Sequence, residues 1–153
     1  MNITLPFQTA TVVNPDVLQT AQQAFTAHQH GVLTGDWTDL LLLMSDDVEL
    51  QAPSPYLPDG SIHGRLNVAR ILYKVTDELQ LTVQLTVLHP IVVSETTVAF
   101  EFMAKGSVAG QSFSSQMVVF YEIENCKIKC LREYAAKLDL KVLDQIMNDD
   151  SSK

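Results

Sequence analysis

The 153-residue chain predicts an α+β domain, helices first and an antiparallel sheet after them. Three observations carry that prediction. Asn14-Pro15-Asp16 is a strong helix start and opens a long amphipathic segment; the hydrophobic period changes from helical to two near Leu81; and the residues from there to 135 fall into consecutive runs rich in β-branched and aromatic side chains. Helices segregated to one side of an antiparallel sheet make the α+β class. Such a sheet, bent strongly around one long helix, forms a cone with a hollow, and hollows of this kind take small ligands.

Each element has its own reason. Residues 2–13 alternate weakly and stop at Asn14, the N-cap, with Pro15 at the first helical position and Asp16 in the first turn. The stripe Leu18, Ala21, Phe25, His28, Val32 then runs at helical spacing to about Thr34, where Gly35 stops it. Asp36 caps a short second helix carrying Trp37, Leu40, Leu41 and Met44. A strand over Asp46–Ala52 is broken by Pro53, Pro55 and Pro58 in a loop ending near Gly60. A third helix spans about Gly64–Glu78, with Val68, Leu72, Val75 and Leu79 on one face. Leu81–Val87 alternates as a strand, and further strands are expected at about 91–106, 110–123 and 126–135, separated at Lys105-Gly106, Ala109-Gly110 and Glu124-Asn125. His89-Pro90 marks a bend or a sheet edge, because proline cannot donate to a ladder. An amphipathic helix over about 139–147 and a polar tail over 148–153 close the chain. No repeat, linker or composition break divides it, so a single domain over 1–153 is expected, with its core at about 15–137.

Charge narrows the partners. Lys plus Arg number 10 against 18 Asp plus Glu, a net charge of −8, which repels nucleic-acid backbones and anionic membrane surfaces. Residues 1–13 lack the basic and apolar regions of a signal peptide, and no apolar run approaches a bilayer span. Cys126 and Cys130 flank three residues of an expected strand. Four steps of about 3.3 Å set them roughly 13 Å apart, too far for a disulfide. Both read as buried structural thiols, and a reducing cytoplasm fits. The histidines and carboxylates show no metal-ligand spacing, and no cofactor is expected.

The element order, together with Gly35-Asp36-Trp37 before a short apolar helix, Ser45-Asp46-Asp47-Val48-Glu49-Leu50 leading into a proline, and His63-Gly64-Arg65 opening the third helix, resembles the SnoaL-like branch of the nuclear transport factor 2-like superfamily over about residues 15–137. The resemblance implies a cystatin-like roll, a cone-shaped sheet around the first helix. It does not imply one function, because the superfamily holds isomerases, cyclases, dehydratases, a hydrolase, ligand-holding domains and dimerisation modules. Laid on ketosteroid isomerase through Gly35-Asp36 and Asp46-Asp47, the phenolic oxyanion donor falls at His28, the general base at Ala52 and the second oxyanion donor at about Phe113. Enolisation needs a base and oxyanion donors. Ala and Phe supply neither, so that mechanism is not expected.

Strand parity selects the side chains that face the hollow. Val98, Phe100, Phe102 and Ala104 alternate with a set containing Glu101 and Lys105, and so face in. The resemblance turns Phe113, Ser115, Met117, Val119 and Tyr121 inward. The last strand is ambiguous: hydrophobicity buries Cys126, Ile128 and Cys130, whereas the resemblance points Leu131 and Glu133 at the pocket. A β-bulge between Cys130 and Arg132 would reconcile the two.

The candidate lining is therefore Phe25, Phe100, Phe102, Phe113, Met117 and Leu131, with His28, Tyr56, His63, Ser115 and Glu133 as its polar groups. Each polar group has a structural alternative: a buried core histidine for His28, a loop or capping residue for His63, a surface tyrosine for Tyr56, an ion-paired carboxylate for Glu133. If the site is catalytic, His28 and Glu133 are the pair suited to proton transfer near neutral pH. Three functions remain open: an apolar, aromatic-lined pocket binding a small, largely uncharged, apolar or cyclic ligand; a small isomerase, cyclase or dehydratase; and a structural dimerisation module with a filled cavity. Val118 and Phe120, with Val83, Leu85 and Val87 nearby, are too apolar for a water-facing sheet whichever parity those last three adopt, which predicts a homodimer through the sheet.

Overall fold

The computed structural model describes residues 14–54, 56–57 and 59–136. The alternation over 2–13, the helix at 139–147 and the tail at 148–153 lie outside them. The order is α1 (Pro15–Thr34), α2 (Thr38–Leu43), β1 (Met44–Gln51), β2 (Ser61–His63), α3 (Arg65–Leu79), β3 (Thr82–Val92), β4 (Thr97–Val108), β5 (Gln111–Glu124) and β6 (Lys127–Ala135). One six-stranded sheet runs β2-β1-β6-β5-β4-β3. It is mixed rather than purely antiparallel, since β1 and β6 pair in parallel. Sequence alternation fixes faces but not strand direction, so this pairing had no local signal.

α1 begins and ends as its sequence dictates. The Asn14 side chain accepts a hydrogen bond from the Asp16 amide at 2.9 Å. Gly35 at φ 80 closes the helix, with its N–H on the Gly31 carbonyl. A Cβ on Gly31 would come within 2.2 Å of the Trp37 ring, so the bare glycine is what lets the indole lie against α1. The Trp37 indole N–H then donates to Thr76 Oγ1 at 2.9 Å and ties the start of α2 to α3. The buried stripe Ala21, Ala24, Phe25 and His28 faces the sheet, and Phe25 stacks on Phe100 with ring centroids 4.8 Å apart.

Two strand boundaries move, each for a physical reason. β3 runs on through His89-Pro90 to Val92, with the register shifting between Val87 and His89. β3 is the sheet's edge, where the missing proline N–H costs no ladder bond. The turn to β4 is the polar Ser94-Glu95-Thr96, where the Val93 and Ser94 amides both donate to the Thr97 carbonyl. Lys105-Gly106 is therefore strand, not turn. A Cβ on Gly106 would lie 1.9 Å from the Thr82 carbonyl oxygen, so this glycine serves a close crossing of β4 over β3. In the last hairpin Asn125 and Cys126 take φ 51 and 57 between Glu124 and Lys127, the two left-handed residues a tight hairpin turn requires. Cys126 is thus an exposed turn residue rather than a buried strand thiol; Cys130 is buried, and both are free.

Partners across an antiparallel ladder share a face. Phe102 pairs with Met117, Tyr121 with Leu131 and Val119 with Glu133, so these side chains all face α1. β6 changes face at Lys129: Glu122 pairs with Cys130 but Ile123 with Ile128, leaving one extra residue on β6. Ile128 and Leu131 consequently both face inward. The bulge reconciles the two parities, one step earlier in the strand than the interval from Cys130 to Arg132.

Candidate functional site

Between α1, α3, the loop after β1 and the inner face of the sheet lies a cavity of about 230 Å³. Its walls are hydrocarbon. α3 contributes Ile71, Leu72 and Val75; β3 contributes Val83 and Leu85; β4 and β5 contribute Phe102, Phe113 and Met117. Pro53, Ser54 and Leu57 reach it from the proline-rich loop. The titratable side chains among its lining residues are His28 and Glu133.

These two meet. His28 Nε2 lies 3.0 Å from Glu133 Oε1, with 7% of the histidine side chain and 19% of the glutamate side chain exposed. The other ring nitrogen, Nδ1, is 2.9 Å from the Tyr121 hydroxyl. α1 supplies the histidine on its buried stripe, and β5 and β6 supply the other two from the inner face, Glu133 being placed there by the Lys129 bulge. The imidazole sits among rings, with centroids 6.0 Å from Trp37 and 6.5 Å from Phe102. Burial pushes the Tyr121 phenol well above its ordinary value, and the nearby Glu133 charge adds to the effect. Tyr121 is accordingly a neutral O–H. A carboxylate hydrogen-bonded to an imidazole in a low-dielectric, apolar chamber is an arrangement able to accept and return a proton.

The other candidate residues divide. Phe102, Phe113, Met117 and Leu131 line the cavity. Phe25 and Phe100 do not; they are buried against each other in the core that supports it. Ser115 is buried opposite Ala104 and is also outside the lining, as a small side chain flanked by larger neighbours would be. Tyr56 packs on Leu79 and Val108 with the Lys74 ammonium 5.5 Å over its ring. His63 lies on the short strand β2 with its side chain 68% exposed and 3.8 Å from Glu49, away from the chamber because β2 pairs at the sheet's far edge. Val83 and Leu85, whose parity the sequence leaves open, face inward and line the cavity. Sequence reasoning missed Tyr121 as a site residue, although its parity with Met117 put it on the inner face, and it missed the aliphatic wall of α3. Among the described residues no group of His, Cys, Asp and Glu is arranged to hold a metal ion, and no helix is long and apolar enough to cross a membrane.

Comparison with known proteins agrees with this architecture. No curated protein sequence matches the chain. Among solved structures, a nuclear transport factor 2-like protein from Anabaena variabilis ATCC 29413 is 23% identical with a TM-score of 0.77, over 86% of this chain and 97% of its own. A protein of unknown function with a cystatin-like fold from Xanthomonas campestris is 22% identical with a TM-score of 0.66, over 79% of this chain and 91% of its own. A computationally designed 17-OHP binder is also 22% identical, with a TM-score of 0.63, over 81% of this chain and 92% of its own. The SnoaL-like domain family matches residues 22–131. With that match spanning most of its length, the chain belongs to the SnoaL-like family of the nuclear transport factor 2-like superfamily.

Proposed function

We propose that the cavity binds a largely uncharged, apolar or cyclic small molecule and that the His28–Glu133 pair moves a proton on it, the work of a small isomerase, cyclase or dehydratase. The 3.0 Å contact between these two groups, inside an otherwise hydrocarbon chamber, carries this reading. A structural ion pair needs no cavity beside it, whereas a proton-transfer pair does. Among the described residues lining the chamber there is no lysine or arginine, which disfavours an anionic ligand. The test is solvent-deuterium incorporation into a panel of neutral cyclic ketones, after native mass spectrometry has been used to look for a co-purifying ligand. Exchange by the wild type that falls at least about 100-fold in Glu133→Gln is the expected result. Tight binding without exchange by any panel member would support the second reading instead.

That second reading is ligand holding without turnover. It is favoured by Ala52 and Phe113 at the positions where the resemblance puts ketosteroid isomerase's base and second oxyanion donor, and by the similarity in fold to a designed 17-OHP binder. Under either reading we place the protein in a reducing compartment such as the cytoplasm, in keeping with two unpaired cysteines. We also propose a homodimer through the outer face of the sheet, where Val118, Phe120, Tyr134 and Ile91 are at least partly exposed.

A further inference from the structure

The group behind the His28–Glu133 pair decides which of its atoms meets the ligand, an inference that rests on the proton-transfer reading. Tyr121 is 0% exposed. Among the described residues its hydroxyl has one hydrogen-bond partner, His28 Nδ1. A buried O–H left without an acceptor is heavily penalised, so the phenol donates its proton to Nδ1. Nδ1 must then be the unprotonated nitrogen, and a neutral imidazole carries its single proton on the other one. That Nε2–H points at Glu133 Oε1, which accepts it as a carboxylate oxygen. An imidazolium would set a second N–H against the Tyr121 hydroxyl and strand one of the two protons in the core. The desolvated, neutral state of the phenol supports the same direction of donation.

We propose that Tyr121 is a positioning residue that fixes His28 as the neutral Nε2–H tautomer, so that Glu133, through its second oxygen, is the group that takes the proton from the ligand. One carboxylate oxygen is held by His28; among the described residues nothing else is bonded to the other, and Glu133 lines the chamber. His28 is a hydrogen-bond donor that orients the base and stores no proton. In the step itself a C–H bond of the ligand breaks, its electron pair moves into the ligand's carbonyl, where the hydroxyl of Ser54, a lining residue, is the donor available to the developing charge, and the O–H bond forms on Glu133. Returning that proton to a different ligand atom completes an isomerisation without a co-reactant. The ligand class that fits is a neutral carbon acid: a C–H acidified by an adjacent carbonyl, on a hydrocarbon frame that packs against the α3 and β3 walls.

Nitrogen-15 NMR of the full chain at neutral pH, with histidine labelled, tests the tautomer without any ligand. His28 is expected to show a protonated Nε2 and an unprotonated Nδ1. Glu133→Gln keeps that pattern, because Tyr121 still donates, whereas the double variant Tyr121→Phe with Glu133→Gln shows both tautomers. A protonated Nδ1 in the wild type, or loss of the single tautomer in Glu133→Gln alone, overturns the assignment to Tyr121. The deuterium-exchange panel is read separately. The predicted tautomer in a protein that exchanges none of the ketones defeats the proton-transfer reading but leaves the role of Tyr121 standing; exchange that survives in Glu133→Gln defeats the assignment of the base.

Discussion

Strands β5 and β6 present two faces built from the same kinds of residue, an inner one with Val119, Tyr121, Leu131 and Glu133 and an outer one with Val118, Phe120, Arg132 and Tyr134. On the inner face Val119 and Tyr121 are wholly buried, and each polar group is spent on another: phenol to imidazole, imidazole to carboxylate. On the outer face Arg132 lies over the Phe120 ring at 5.6 Å and Tyr134 meets its edge at 5.7 Å, with Tyr134 54% exposed. Similar composition thus has different consequences. Where water is excluded, a polar side chain must find a fixed partner, and fixed partners make a site; where water remains, contacts stay individually weak.

The largest expected effect tests that contrast by truncation. Phe102→Ala should cost about 3–5 kcal/mol of stability by urea unfolding, because it opens a void among buried rings. Phe120→Ala should cost about 1 kcal/mol or less in the isolated protomer. Equal losses would break the comparison. Next, if the outer face pairs with a second copy, Phe120→Lys should halve the mass found by light scattering at micromolar concentration while the fold is retained; a monomeric wild type would remove the dimer.

Removing one hydroxyl from the inner face should cost less. Tyr121→Phe is expected to lose about 1–2 kcal/mol at neutral pH, the worth of a buried hydrogen bond. It should also change the alkaline limb of the stability curve. The folded phenol releases its proton only well above the ordinary 10.0. Below that pH both states hold the proton and the stability is fully present. Above it the unfolded chain gives up its proton first, so stability falls as pH rises toward the folded value. The Phe variant should lack this component of the decline, as urea midpoints measured across pH 9 to 11.5 would show, on the order of the phenol's own titration range. The smallest effect is chemical: a thiol reagent should modify exposed Cys126 quickly and Cys130 slowly, burial raising the thiol pKa of the latter. Equal rates would mean that β6 opens readily.

Particular residues show how far the sequence could be read. α1 was legible to its ends because Asn14, Pro15 and Gly35 act on their own neighbours. On β5 local alternation separates two sets, and it is the family resemblance that turns the one from Phe113 to Tyr121 inward. The turn after β3 falls inside the strand expected over 91–106, and Lys105-Gly106 reads as a turn at its end, since a glycine needed for a close crossing and a glycine needed for a turn look alike in one dimension. Cys126 looked like strand because apolar alternation continues through it, yet the hairpin needed two left-handed residues and took it as the second. The parity of Val83 and Leu85 stays open in the sequence because a strand's period reveals two faces without saying which is inside.

The candidate site divides the same way. The residue types were available from the sequence: a histidine on a buried helical stripe, a glutamate near the end of the last strand, an inward-facing tyrosine. Local forces, namely capping, periodicity and turn chemistry, determined the α+β class, the long first helix and the parity of most strands. Only tertiary structure decided that β1 runs parallel to β6, that a bulge at Lys129 turns Glu133 inward, and that His28 and Tyr121, 93 positions apart, come within a hydrogen bond. Those are long-range facts, set by how three elements pack around one cavity, and no window of neighbouring residues contains them.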